Sequence, residues 1–232
     1  FPNANVVMGT DGNDTITGTS GSDLIASFNG TDTVNGLAGN DKILGGAGVD
    51  TLNGGDDNDH IYGYAGADTL NGNAGNDLIY GGKDNDTIDG DAGDDELYGE
   101  AGDDTLNSGL GSDTLNGGLG DDTVNIDGSG NKNIDGGAGT NTLDIDYSGI
   151  SNLGNFELST SGDSLILTDS DSNSISFRLI SNLIVDNFTY LRVQTDKAGS
   201  PVDEEAYWNA TEQALYLFGE SNLSSDVWKN GN

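Results

Sequence analysis

Thirteen aspartates recur at intervals of nine residues without a slip: Asp14, Asp23, Asp32, Asp41, Asp50, Asp59, Asp68, Asp77, Asp86, Asp95, Asp104, Asp113 and Asp122. A carboxylate is a hard oxygen donor, so a rank of them suits a hard cation. Acidic pairs such as Asp94–Asp95, Asp103–Asp104 and Glu204–Glu205 are also of the type used for general acid–base work. Most of these, however, are turn residues of a repeat. The single histidine, His60, has no Ser or Cys arrangement around it, and neither a nucleophile elbow, a zinc-protease helix motif nor a phosphate-binding loop is present. The chain is therefore expected not to be an enzyme.

The units run from GTDGNDTIT (9–17) to GGLGDDTVN (117–125), with a Gly-rich turn at positions one to six and a short strand at seven to nine. Position eight is always Ile, Leu or Val, and alternation along a strand turns it inward while seven and nine face out. One apolar residue per nine cannot be buried by a unit alone, so units must stack. A three-residue strand followed by a turn reverses direction, so two units, eighteen residues, should make one coil. The outward positions carry that longer period. Position seven is Thr15, Thr33, Thr51, Thr69, Thr87, Thr105 and Thr123 in alternate units, against Leu24, Lys42, His60, Leu78, Glu96 and Thr114 in the others. Position nine divides the same way, with Leu44, Tyr62, Tyr80 and Tyr98 in one line. The expectation is an all-β fold, a parallel two-sheet solenoid or β-roll.

Stacking at the strand spacing of about 4.8 Å puts the aspartates in two lines along the edges of the roll. Residues 1–144 hold 27 Asp and Glu against three Lys. Asp and Asn favour turns without binding anything, but thirteen in register with so few basic residues require a cation between coils. Carboxylates and turn carbonyls, without sulfur or imidazole, point to Ca2+. An ion between turns eighteen residues apart would be held by both Asp side chains and by carbonyls of the Gly-rich turns. Lines of seven and six Asp leave six and five gaps, about eleven ions. An inserted Ile126 breaks the count, after which Lys132 and Asn141 take position six. Lys132 would place a tethered cation where an ion would otherwise lie, and Asn141 is a further candidate ligand. The turn glycines at positions one, two and four are read as sites of positive φ, with Asp57 and Asp84 in place of two of them.

The pattern GGxGxDxUx, with U a large apolar residue, resembles the repeats-in-toxin (RTX) family over residues 9–144. The resemblance implies a right-handed parallel β-roll with calcium in the turns, in proteins exported by type I secretion that fold outside the cell. It does not imply one function, because such segments occur in cytolysins, proteases, lipases, adhesins and surface-layer proteins.

A net charge of −33 with 33% hydrophobic residues would ordinarily mark a disordered chain; here it implies order that depends on bound counter-ions. Such acidity argues against nucleic-acid binding. There is no cysteine, and no apolar run long enough for a membrane span. The start, FPNANVVMG, lacks a leader and an initiator Met, which reads as a processed chain or a fragment. Residues 1–8 are taken as a lead-in and 145–232 as a β-rich capping or interaction region with strands near 155–160, 164–169, 174–180, 188–194, 206–209 and 214–218. An open roll exposes its last coil and needs a cap. Tyr207, Trp208 and Trp228 are candidate contacts for a carbohydrate or protein.

The reading is a secreted calcium-binding protein, structural, adhesive or self-assembling at the cell surface. Its partners would be calcium, other copies of itself or an extracellular polysaccharide. The alternative is a non-catalytic module of a larger secreted enzyme or toxin. A lower-ranked one treats the flat Thr-x-Asn face as an ice- or polysaccharide-binding surface.

Overall fold

A computed structural model of the chain describes residues 4–146 and, beyond them, strands at 156–161, 164–168, 174–178, 182–186, 191–194, 203–209, 214–218 and 227–229. In chain order the repeat region forms β1 (Asn5–Met8), β2 (Thr15–Thr17), β3 (Asp23–Asn29), β4 (Thr33–Ala38), β5 (Lys42–Ala47), β6 (Thr51–Asp56), β7 (His60–Ala65) and β8 (Thr69–Ala74). It continues with β9 (Leu78–Lys83), β10 (Thr87–Asp89), β11 (Glu96–Ala101), β12 (Thr105–Asn107), β13 (Asp113–Leu119), β14 (Thr123–Ile126), β15 (Lys132–Asp135) and β16 (Thr142–Asp146).

Odd-numbered strands pair in one parallel sheet and even-numbered strands in the other, in strict order along the chain. The register is eighteen residues: Thr15 pairs with Thr33, Ile25 with Ile43, and Tyr62 with Tyr80. A two-sheet solenoid of about eight coils results. Its core is the row predicted at position eight, Ile25 through Val124, every member fully buried.

The strands are longer than the sequence implied. Seven of the sixteen are six residues, as in Lys42–Ala47, because the extended backbone runs on through the glycines into position three of the next unit. Position one is therefore a second buried strand position, and glycine there leaves room that is used by an aspartate. A Cβ on Gly45 would lie 2.8 Å from Asp50 Oδ2 and 2.9 Å from the Gly63 carbonyl. Positive φ falls at positions two and four, not at position one. Gly46 and Gly48 have φ of 129° and 134°, and a side chain on either would run into a carbonyl of the preceding coil. Asp57 and Asp84 hold φ of 77° and 72° at position four, as their types allow. Phe28, Leu37, Tyr64 and Glu100 do the same at position two, a strain of about 1–3 kcal/mol each that the stacked coils on either side must sustain.

Two features at the ends depart from the sequence boundaries. Asn5 pairs with Asp23 and Val7 with Ile25, so the solenoid register already holds in the stretch read as a lead-in. Ile126, the inserted residue, is 1% exposed and takes the inward slot that glycine fills elsewhere. The register there becomes nineteen, with Asp113 opposite Lys132 and Thr123 opposite Thr142.

Beyond Asp144 the strands are β17 (Phe156–Ser161), β18 (Ser164–Thr168), β19 (Ser174–Arg178), β20 (Asn182–Asp186), β21 (Leu191–Gln194), β22 (Asp203–Asn209), β23 (Ala214–Phe218) and β24 (Val227–Lys229). β19 and β20 pair in parallel with β15 and β16, so each sheet gains a strand past the last nonapeptide. β18 pairs antiparallel with β19, and β22 with β23. The strands β20 and β24 were not foreseen. The side chains of Tyr207, Trp208 and Trp228 lie outside the described residues.

Candidate metal centre

The sharp turn at positions one to six delivers each position-six aspartate to the seam between the two sheets. Twelve of the thirteen, Asp23 through Asp122, are buried; Asp14, at the N-terminal end, is half-buried. They stack in the two lines expected. From Asp32 onward one oxygen of each is committed to the aspartate one coil earlier, whose position-six backbone N–H needs an acceptor. Asp41 Oδ1 accepts from the Asp23 N–H at 2.7 Å, Asp59 Oδ1 from Asp41 at 2.7 Å, and Asp68 Oδ1 from Asp50 at 2.8 Å. The ladder runs on to Asn141, whose Oδ1 accepts from Asp122 at 2.9 Å. Instead of two free carboxylates facing one gap, each turn from Asp32 to Asp122 has one inward oxygen, Oδ2, with Oδ1 tied to the adjacent coil.

Ten of those inward oxygens are buried without any hydrogen-bond partner: Oδ2 of Asp32, Asp41, Asp50, Asp59, Asp68, Asp77, Asp86, Asp95, Asp104 and Asp122. A buried polar group with no partner costs free energy, and a buried unpaired charge costs much more. Burial accordingly drives the carboxyls of Asp41, Asp50, Asp59, Asp68, Asp77, Asp86, Asp95, Asp104 and Asp122 upward from the ordinary aspartate value of about 3.9, and neighbouring carboxylates add to the effect. Asp59 is pushed up to about 8, Asp68, Asp86 and Asp95 to about 7, and Asp41, Asp77 and Asp104 to about 6. Asp50 and Asp122 move the same way for the same cause. The hydrogen bond from the preceding Asp backbone opposes the rise at each of them without cancelling it.

The other four candidates do not offer such an oxygen. Asp14 Oδ2 accepts the Thr10 N–H at 2.6 Å, and Asp23 Oδ2 accepts the Thr19 N–H at 2.6 Å, so both turns close on themselves. Asp113 Oδ2 is ion-paired with Lys132. Asn141 turns its amide nitrogen to the Gly137 carbonyl at 3.3 Å.

A second ladder, missed from the sequence, braces the turns from position five. Asn58 Oδ1 accepts the Asn76 N–H at 2.7 Å, Asn76 Oδ1 the Asp94 N–H at 3.0 Å, and Asp94 Oδ1 the Ser112 N–H at 2.7 Å. Its direction is opposite to that of the position-six ladder. The available signal was the run of Asn, Asp, Ser and Thr at position five, interrupted only by Val49 and Ala67.

Whether these turns suit a cation can be judged from Lys132. Its ammonium, on a side chain that is 0% exposed, donates to the Gly109 carbonyl at 2.8 Å and the Gly111 carbonyl at 2.9 Å, and meets Asp113 Oδ2. Those atoms are the carbonyls of positions two and four and the carboxylate of position six. Every open turn repeats that trio of hard oxygens, which fits Ca2+ in donor type. No three His, Cys, Asp or Glu side chains converge among the described residues.

The family model for the RTX calcium-binding nonapeptide repeat (4 copies) matches residues 2–27, 8–43, 27–61, 62–97 and 89–124. Together the matches span 2–124, more than half of the 232 residues. The chain belongs to this family of calcium-binding repeat proteins. No curated protein matches it.

Proposed function

We propose that this is a non-catalytic, calcium-folded module that works outside the cell, in a structural or adhesive role. The observation that carries the proposal is the set of ten buried, partnerless carboxylate oxygens along a core of one aliphatic residue per nine. A divalent cation in each open turn would be held by the position-two and position-four carbonyls and by Asp Oδ2. It would neutralise charge that the metal-free roll has to carry by protonation. Ten open turns, six in the line Asp32 to Asp122 and four in the line Asp41 to Asp95, support ten ions.

Extracellular calcium modules bind at about 10⁻⁴ to 10⁻³ M, which would keep the chain open in a calcium-poor cytoplasm and fold it after export. Secretion is the habit of the family, and a cysteine-free acidic chain is compatible with it. The non-catalytic reading is supported by the position of His60, exposed on a sheet face in rank with Lys42 and Leu78. No helix among the described residues is long and apolar enough to cross a membrane.

Of the two kinds of extracellular partner, the tyrosine face favours protein over sugar. Tyr62, Tyr80 and Tyr98 stack on one another with centroids 5.2 and 4.8 Å apart and planes within 8° and 11°. Both faces of Tyr80 are taken by the stack, and the Lys42 ammonium lies 4.9 Å from the Tyr62 centroid. A pyranose needs an open ring face, whereas another protein surface can use the exposed edges. A calcium titration followed by circular dichroism and light scattering tests both halves of the proposal. Folding with concentration-dependent growth in mass supports a self-associating structural role. Folding to a particle that stays monomeric at all concentrations would remove the self-assembly part.

A further inference from the structure

Lys132 is among the largest fully buried side chains of the described residues and lies in one line with the buried aspartates. Burying an ammonium is costly unless oxygen atoms replace its hydration. Here three do, the carbonyls of Gly109 and Gly111 and the carboxylate of Asp113. A lysine ammonium is a compact point charge with three donors, and the three oxygens match that number. The placement depends on the insertion of Ile126, which lengthens the spacing from eighteen to nineteen and sets Lys132 opposite Asp113. In the preceding turn of the line the corresponding oxygen, Asp95 Oδ2, is buried with no hydrogen-bond partner.

We propose that Lys132 is a built-in replacement for the last ion of its line. Its ammonium permanently fills the socket formed by Gly109, Gly111 and Asp113 and makes the final coil of that edge independent of calcium. The shorter line then takes four ions and ends on a covalently tethered charge, while the longer line runs open to Asp122. The roll is thereby asymmetric: one edge is anchored at its C-terminal end without metal, and the other is not.

This inference rests on the calcium reading of the turns, and the test separates the two. Bound calcium per chain would be counted by native mass spectrometry and equilibrium dialysis at saturating calcium, for the unmodified chain, Lys132→Asp and Lys132→Ala. Either variant should bind one more ion than the unmodified chain, because the socket is vacated. An unchanged count in variants with an unaltered circular dichroism spectrum would overturn the role of Lys132. An unmodified chain that binds no calcium would overturn the underlying reading instead. Should the variants fail to fold, amine acylation of the unmodified chain decides the matter. Lys132 should react more slowly than exposed Lys83 by an order of magnitude or more, at every calcium concentration that folds the roll. Lys132 reacting as fast as Lys83, or becoming reactive as calcium rises and displaces it, would overturn the proposal.

Discussion

In the first turns of the roll the inward oxygen of Asp23 accepts the Thr19 N–H at 2.6 Å, while in the middle the equivalent atom of Asp68 is buried with no partner. Both residues sit at position six of the same motif. The difference is what surrounds them. Thr19 and Gly21 keep ordinary φ values, whereas the central turns have positive φ at positions two and four. In the central turns no position-two N–H reaches the inward carboxylate oxygen, and at Gly109 and Gly111, which share this geometry, the carbonyls accept from the Lys132 ammonium. The two closed turns also carry threonine at position two, and the hydroxyls of Thr10 and Thr19 donate to the carboxylate, whereas the units from 27 to 125 have no threonine there. At the other end Asp113 shows a third outcome, a socket filled by the chain itself.

The largest effect should come from opening a gap in the middle of a line. Asp68→Ala with Asp86→Ala removes two adjacent inward oxygens and two rungs of the Oδ1 ladder. The calcium midpoint of folding by circular dichroism should rise roughly three- to tenfold. An unchanged midpoint would refute the assignment of these turns to one edge.

Glycine at position four sharpens the comparison between central and terminal turns. Gly48 has φ of 134° and its missing Cβ would collide with the Gly30 carbonyl, whereas a Cβ on Gly21 would meet nothing within 4 Å. Gly48→Ala should destabilise the calcium-loaded roll by about 1–3 kcal/mol from backbone strain alone. Gly21→Ala should be neutral or stabilise by up to about 1 kcal/mol, because it narrows the unfolded ensemble. Thermal melts in saturating calcium measure both. Equal costs would mean that the two turns share one conformation.

Protons compete for the same oxygens. The folded-state values of about 6 to 8 at Asp41, Asp59, Asp68, Asp77, Asp86, Asp95 and Asp104 lie above the unfolded value. The metal-free fold therefore takes up protons on folding. Its relative stability is fully present below about pH 4 and is lost as pH rises through 6 to 8. In chelator, β structure should increase on going from pH 8 to pH 4, while apparent calcium affinity should fall over the same range. A chelated chain whose spectrum is flat across that range would break the link between burial and ion demand.

The smallest effect is a count. Asp86→Asn should lower bound calcium by one ion, and Asp14→Asn should leave it unchanged, because the turn of Asp14 is already closed by Thr10. Equal losses would show that the terminal turns open to metal.

Much of this was legible because the repeat is periodic at two levels. Alternation of Thr15, Thr33 and Thr51 against Leu24, Lys42 and His60 carried the two-sheet register, and the invariant aliphatic at position eight carried the core. The column of Tyr62, Tyr80 and Tyr98 stacks as the period requires. Asp14 and Asp68 fill the same position of the motif, and the signal that separates them, missed from the sequence, is the threonine at position two of the first two units. The hydroxyls of Thr10 and Thr19 donate to Asp14 and Asp23 at 3.1 Å, beside the backbone N–H bonds that close those turns. The role of position-one glycine was likewise misassigned to backbone freedom, because the space taken by Asp50 Oδ2 beside Gly45 exists only after the coils stack. Ile126 read as a break in the count and proved to be a buried core residue.

The most direct measurement is removal of metal at neutral pH, followed by far-ultraviolet circular dichroism and small-angle X-ray scattering. With ten buried carboxylate oxygens lacking partners, the chelated chain should lose its β-sheet spectrum and expand, and both changes should reverse on adding calcium. A chelated chain that keeps the same spectrum and the same radius as the calcium-loaded form would contradict the account.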